Sequence, residues 1–292
     1  MEKTDLLRKL LNEYFVGKEE VVDDLICCFL ANGHILMEDV PGVGKTTLAR
    51  CFASSLGLSF GRISFTPDTM PGDVTGMSVY DMKRGEFSYR AGAVMKNIVL
   101  ADELNRTSPK TQSALLEAMA ESQVTVDDKI YPLPEASLDR FMMRISIGYP
   151  DEEQELKMLK DRIEGKSLDD IKPVLDKDDV IRLREEVKKV FISNAILSYI
   201  RKIIASTRNE NGFILGASPR ALIHLTEASR AKAFLCGRDF VKPDDVKAVA
   251  LSVLSHRMIL STQMRLEKKE SSVLLRSLIL KIPVPMERGN EK

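Results

Sequence analysis

The stretch His34–Ala49, HILMEDVPGVGKTTLA, decides the fold. It opens as an apolar run of strand length, turns at Pro41-Gly42, and continues into a helical pattern from Lys45. A strand, a glycine-rich turn and a helix, in that order, form the local setting of a phosphate-binding loop of the Walker A type. The chemistry needs these residue types. Gly42 and Gly44 let backbone N–H groups converge on phosphate oxygens at a helix N-terminus. Lys45 is placed to reach the β- and γ-phosphates, and the Thr46 hydroxyl to hold Mg²⁺. Pro41, Val43 and Thr47 complete the loop. The strict pattern G-x-x-x-x-G-K-[ST] wants glycine at position 39, where this chain has Asp39. Gly42, Gly44, Lys45 and Thr46 are the set that touches phosphate, and all four are present.

Further runs read as buried strands on either side of helical patterns: Phe60–Phe65, Asn97–Asp102 and Phe141–Ile147, with His34–Asp39 the first of the four. Apolar runs separated by helices predict a parallel sheet covered on both faces. Met77–Ala91 alternates around Lys83-Arg84-Gly85 and predicts an inserted hairpin, and Val124–Pro132 a second one. Beyond Pro150 the pattern is almost continuously helical. Asp151 starts one helix, Asp178–Val190 shows i, i+3, i+4 spacing, and Ser193 precedes a run to about Asn209. Ser218-Pro219 caps the next helix, and Pro243-Asp244 opens one expected to reach about Leu260. The expected division is a nucleotide-binding core, residues 1–150, and a helical domain, residues 151–292.

Asn97–Asp102 ends in Asp102-Glu103, a Walker B pattern. Two carboxylates at the carboxyl end of a strand stand where α/β sheets bind ligands. Asp102 is expected to orient Mg²⁺, and Glu103 to polarise an attacking water. An acid in that position favours water as acceptor, hence hydrolysis over phosphate transfer.

The 292 residues carry 43 Lys plus Arg and 43 Asp plus Glu. That balance argues against a broad grip on nucleic acid, which needs a basic surplus on one face. Apolar runs fall far short of the roughly 20 residues of a spanning helix, and the charged start lacks the apolar stretch of a secretory signal. A cytoplasmic protein without membrane insertion is expected. Cys27, Cys28, Cys51 and Cys236 form no metal-spaced pair and are expected to be ordinary buried thiols. His34, His224 and His256 have no surrounding pattern of acids or cysteines and are expected to be structural. The absence of an Asn-Lys-x-Asp motif disfavours a GTPase.

MEDVPGVGKTTLA, SFTPDTMPGDVTGMSVYD, IVLADELNRTSPKTQSALLEAMAE and YPLPEASLDRF closely resemble the MoxR family of AAA+ ATPases. So does GASPRALIHLTEASRAKAFLCGRDFVKPDDVKAVALSVLSHR, so the resemblance covers nearly the whole chain. It implies an αβα P-loop core with a parallel sheet followed by an all-α lid, with ATP and Mg²⁺ bound between them. It also implies self-association into a ring, expected to be a hexamer, that remodels and activates a client protein, in some cases one with a von Willebrand A-type domain. Asp39 is usual in this family. Carried over residue by residue, Arg140 in Leu138-Asp139-Arg140-Phe141 matches the arginine finger that reaches a neighbour's γ-phosphate. Arg220 in Ser218-Pro219-Arg220 matches the lid arginine called sensor 2, and Val16-Gly17 the segment lining the adenine pocket. From the residues alone, Arg140 could equally be a solvated strand-end charge, whereas Arg220 near a helix N-terminus opposes the helix dipole and so invites a functional reason.

One part of the family pattern is missing. Relatives carry, between the second hairpin and the Leu-Asp-Arg-Phe segment, a central strand ending in a polar residue, sensor 1, that holds the attacking water. Here Tyr131-Pro132-Leu133-Pro134 runs directly into Glu135–Arg140, without the roughly 15–25 residues a strand and its connections need. Either the first strand and the Asp102 strand become direct neighbours, or Val124–Leu133 is drawn between them. Both outcomes predict nucleotide binding with weak turnover. The alternative function is therefore a nucleotide-gated assembly module with impaired hydrolysis.

Overall fold

A computed structural model describes residues 2–40, 42–83, 85–121 and 135–285. The first half alternates as the periodicity demands: α1 (Glu2–Tyr14), α2 (Glu19–Leu30), β1 (Ile35–Met37), α3 (Lys45–Ser55), β2 (Phe60–Ser64), α4 (Pro71–Thr75), β3 (Gly76–Asp81), β4 (Glu86–Ala91), β5 (Ile98–Asp102), α5 (Pro109–Glu121) and β6 (Met143–Ile145). Apolar residues at helical spacing explain the first helices: α1 buries Thr4, Leu7 and Leu11 on one face, and α2 buries Val22, Leu25 and Ile26.

All four expected strands form, each shorter than its apolar run. They make two separate parallel pairs. β1 lies beside β6, from Ile35 opposite Met143 to Met37 opposite Ile145. β2 lies beside β5, from Phe60 opposite Ile98 to Ser64 opposite Asp102. Among the described residues no ladder joins β1 to β5, so direct pairing of those strands, one expected outcome of the missing strand, does not occur. The other outcome, and the hairpin Val124–Pro132, lie outside the described residues. The expectation of strands buried on both faces also needs correcting: every residue of β1 and β5 is only half-buried. A parallel strand is fully buried when neighbours flank both edges and helices cover both faces, and among the described residues each of these strands has one paired edge. The two pairs meet at one apolar cluster, on which Ile35 and Met37 from one and Ile98 from the other pack. Ile63 of β2 with Val99 and Ala101 of β5 belongs to a second, smaller cluster around Phe65, Val74 and Leu115. Helix α3 packs against both β2 and β5. The Met77–Ala91 hairpin forms as β3–β4, with Tyr80 and Phe87 rings edge to face at 5.2 Å.

The second half contains α6 (Glu152–Ile163), α7 (Lys177–Lys189), α8 (Asn194–Asn209), β7 (Phe213–Leu215), α9 (Pro219–Leu235), α10 (Pro243–Leu254), β8 (Ile259–Leu260), α11 (Thr262–Leu266) and α12 (Ser271–Lys281). Local sequence sets the starts of four of these. Asp151, Asp176, Ser193 and Ser218 each accept a hydrogen bond from a first-turn amide, at 2.9, 2.8, 3.3 and 3.1 Å. Helix α10 stops at Leu254, six residues before the expected end near Leu260. Ile259–Leu260 instead pairs antiparallel with β7, a partner distant in sequence that no local periodicity reveals. The half is therefore not purely helical. A single buried cluster runs through both halves, from Leu7 to Ile282. Three cysteines are buried as expected, while Cys236 is exposed. Among the described residues, no helix is long and apolar enough to cross a membrane.

Candidate nucleotide-binding site

The phosphate loop has the backbone its sequence calls for. Gly42 and Gly44 both sit at φ +91°, where side chains are strained, and a Cβ on Gly42 would meet nothing within 4 Å. Gly44 is the N-cap of α3 and offers no side-chain hydrogen bond to the first-turn amides, which leaves those donors for an anion. Lys45 folds its ammonium onto the Asp39 carbonyl at 2.8 Å. Thr46 is half-buried and Thr47 exposed at the start of α3; Pro41 lies outside the described residues. This backbone cradle, with a lysine and a threonine at its rim, fits a triphosphate with Mg²⁺.

Asp39, the departure from the generic pattern, has a structural task. Its carboxylate accepts hydrogen bonds from the Gly148 amide at 3.0 Å, the Ser146 hydroxyl at 3.2 Å and the Ile147 amide. Partial burial works against its charge, but these donors and the nearby Lys45 outweigh it and hold the carboxyl below its ordinary range. The loop is thereby tied to the chain just beyond β6. Phe15 closes the other flank. Its buried ring contacts both Gly17 and Gly44: a Cβ at Gly17 would fall 2.5 Å from it, and one at Gly44 3.6 Å. Val16-Gly17 and the phosphate loop are thus brought together, and the Gly17 carbonyl also accepts from Gln154 at the start of α6, at 3.3 Å.

The acid pair is arranged differently. Asp102 ends β5 and pairs with Arg62 of β2 at 2.6 Å. Glu103 pairs with Arg106 at 3.0 Å and has φ +57°, a left-handed backbone for a non-glycine residue. Such a conformation costs about 1–2 kcal/mol and recurs at functional sites. Among the described residues, no hydrogen bond or ion pair links either acid to Lys45 or Thr46.

Asp139, the chain neighbour of Arg140, is the residue that Arg220 reaches. Arg140 is half-buried and makes no ion pair among the described residues. Arg220, exposed at the start of α9, approaches Asp139 at 3.4 Å, and the Ser218 cap hydroxyl donates to the same carboxylate at 2.7 Å. Behind it, Arg257 is almost fully buried and donates through one Nη to the carbonyls of Asp139 and Phe141 at 3.2 and 2.6 Å. Burial, opposed by Asp139, lowers Arg257 to about 10. Burial first, and then the Arg257 charge, lowers His224 and His256 to about 4, so both are neutral. His224 Nδ1 lies 2.6 Å from Arg257, and His256 Nε2 lies 3.0 Å from the Phe141 carbonyl. These positions fit the structural reading of both histidines.

Sequence reasoning did not single out Phe15, Asp139 or Arg257, and gave Asp39 no task. Asp139 alone carried a signal, since a carboxylate beside Arg140 answers the question of what neutralises a cation near a helix N-terminus. Asp39 and Arg257 matter through contacts more than a hundred residues away, and Phe15 through its reach from Gly17 to Gly44.

Residues 34–130 match the family described as ATPase family associated with various cellular activities (AAA), and residues 205–276 match the AAA lid domain. The uncharacterized protein YeaC of Bacillus subtilis is 43% identical, over 96% of this chain and 94% of its own length. That alignment spans 300 positions, whereas 96% of 292 residues is about 280, so about 20 positions of the relative have no counterpart here. The deficit is the size of a strand with its connections. Chaperone MoxR1 of Mycobacterium tuberculosis is 33% identical, over 92% of this chain and 79% of its own length. A crystal structure from Cytophaga hutchinsonii, described as a candidate ATPase, superposes with a TM-score of 0.88 at 34% identity, covering 98% of this chain and 96% of that one. With the αβα core and lid in place and relatives of this identity spanning most of its length, the chain belongs to the MoxR family of AAA+ ATPases.

Proposed function

We propose that this chain is a chaperone-like module that binds ATP with Mg²⁺, assembles in response, and hydrolyses the nucleotide weakly. The observation that carries this reading is the contrast between a phosphate loop braced on both flanks and an acid pair engaged by arginines on a separate two-stranded sheet. Gly42, Val43, Gly44, Lys45, Thr46 and Thr47, with Pro41, bind the phosphates, and Val16-Gly17 lines the base pocket. Thr46 and Asp102 hold the metal, which supplies charge neutralisation at the phosphates when bound. Glu103 orients the water, Arg220 reaches the γ-phosphate of its own subunit, and Arg140 that of a neighbour.

Residues 1–150 form the nucleotide core and 151–292 the lid, the assembly is a hexameric ring in the cytoplasm, and the client carries a von Willebrand A-type domain. The family resemblance supports this part of the reading, as does a relative bearing the name chaperone. The weak-turnover part rests on the split sheet, which supplies no sensor 1 residue among the described residues. The test compares the chain with a version into which the central strand and its terminal asparagine are reinserted. Both should bind a fluorescent ATP analogue similarly, and the repaired version should turn over at least about tenfold faster, as removal of a positioned polar group usually costs that much or more. Equal turnover in the two would refute the argument from the missing strand.

A further inference from the structure

Asp139 joins two arginines that the proposed function sends to two different phosphates. It precedes Arg140 in the chain, and its carboxylate faces Arg220. We propose that Asp139 is a positioning residue that holds Arg220 off the nucleotide until a γ-phosphate competes for it, and so couples a subunit's own occupancy to the setting of its Arg140. This rests on the roles given above to Arg140 and Arg220.

The contacts around Asp139 are unequal, and the inequality suggests a switch. On one side they are buried. Ser218 donates at 2.7 Å, the Asp139 backbone carbonyl accepts from Arg257 Nη at 3.2 Å, and Arg257 Nε lies 3.4 Å from the carboxylate as a charge without a hydrogen bond. The Arg257 side chain is 2% exposed, and it also holds the Phe141 carbonyl. The segment from Asp139 to Phe141 is therefore pinned on both sides of Arg140. On the other side stands Arg220, which donates at 3.4 Å to the second carboxylate oxygen and is 48% exposed. A half-exposed pair is weak because solvent screens it, and a terminal phosphate, with more charge and a geometry matched to guanidinium, outcompetes a single carboxylate.

When Arg220 leaves, Asp139 keeps Ser218 and Arg257. The carboxylate is then balanced by the buried arginine alone, and the pinned segment carrying Arg140 adjusts to the changed charge. ADP lacks the phosphate that draws Arg220 away, so the device distinguishes ATP from ADP. A purely structural ion pair would not.

The experiment is a double-mutant cycle on the full chain, read as ATP and ADP affinity by calorimetry. Asp139→Asn removes the charge that competes for Arg220. It should tighten ATP by about twofold to fivefold, the range of an exposed pair, and leave ADP unchanged. In the Arg220→Ala background the same substitution should change neither. An equal shift for ADP, or a shift that persists without Arg220, overturns the proposal. Asp139→Asn also removes the counter-ion of buried Arg257, so a second measurement avoids that variant. Amide exchange of residues 139–141 should change in the unmodified chain on adding a non-hydrolysable ATP analogue and not on adding ADP, and Arg220→Ala should abolish the change. Exchange that is unaltered, or altered equally in Arg220→Ala, also overturns it. An unmodified chain that binds neither nucleotide refutes the nucleotide reading itself, and this inference with it. An unmodified chain that binds ATP but shows no Arg220-dependent effect refutes the inference alone.

Discussion

The phosphate loop and the acid pair come from neighbouring parts of the same half, yet they stand in different states. The loop is held from three directions: Asp39 to residues 146–148, Phe15 against Gly17 and Gly44, and Lys45 on the Asp39 carbonyl. The first and third use groups just beyond β1 and its paired strand β6, and the second comes from the link between α1 and α2. The acids depend on β5, which among the described residues pairs only with β2 and is half-buried throughout. Their nearest charged partners are Arg62 and Arg106. Binding phosphate needs one well-formed loop, whereas positioning a water needs two strands at a fixed spacing. A chain lacking a central strand can therefore keep the first capacity and weaken the second.

That contrast can be broken most directly at its stronger side. Lys45→Ala should weaken ATP binding by at least about a hundredfold, the loss of a charge-assisted contact. Glu103→Gln should leave binding unchanged and remove whatever turnover remains. Turnover equal to that of the unmodified chain in Glu103→Gln would show that Glu103 is not the base. A smaller effect concerns assembly. ATP with Mg²⁺ should raise the mass seen by light scattering at a given concentration, and Arg140→Ala should raise the concentration needed by about tenfold, the value of one interfacial charge contact. A monomer at every concentration under saturating ATP would contradict the ring.

The least effect belongs to the lid contact that the nucleotide side shares. His224 and His256 are held neutral at about 4, against an ordinary value near 6.5, by burial and by Arg257. A lowered pKa means that the unfolded chain binds the proton more readily. The stability these groups contribute is therefore complete above about pH 6.5 and lost as pH falls towards about 4. By about pH 5 the loss should be on the order of 1–2 kcal/mol per histidine. Thermal melts of the unmodified chain and of His256→Gln check it: the substituted chain should show the shallower pH dependence, and parallel curves would remove the histidines from the account.

Much of this molecule could be read from local sequence. The phosphate loop is a contiguous stretch, so the positions of its glycines, lysine and threonine follow from the strand and helix next to them. The lid helices begin where Asp151, Ser193 and Ser218 cap them, because a cap needs only the next three residues. The shortage of residues before Leu138 was visible too, and the likeness of the chain to its relatives supplied the roles proposed for Arg140 and Arg220.

Other features waited for the tertiary structure. That β1 and β5 remain apart could not be deduced from either run, because pairing depends on what lies between two edges. The end of α10 at Leu254 was set by the pairing of Ile259–Leu260 with β7. The tasks of Asp39, Phe15 and Asp139 depend on partners from distant parts of the chain. Sequence periodicity and capping specify interactions that close within a few residues. Hydrogen bonds to a carboxylate and the contacts of one ring are decided only when folding brings remote backbone within about 3–4 Å.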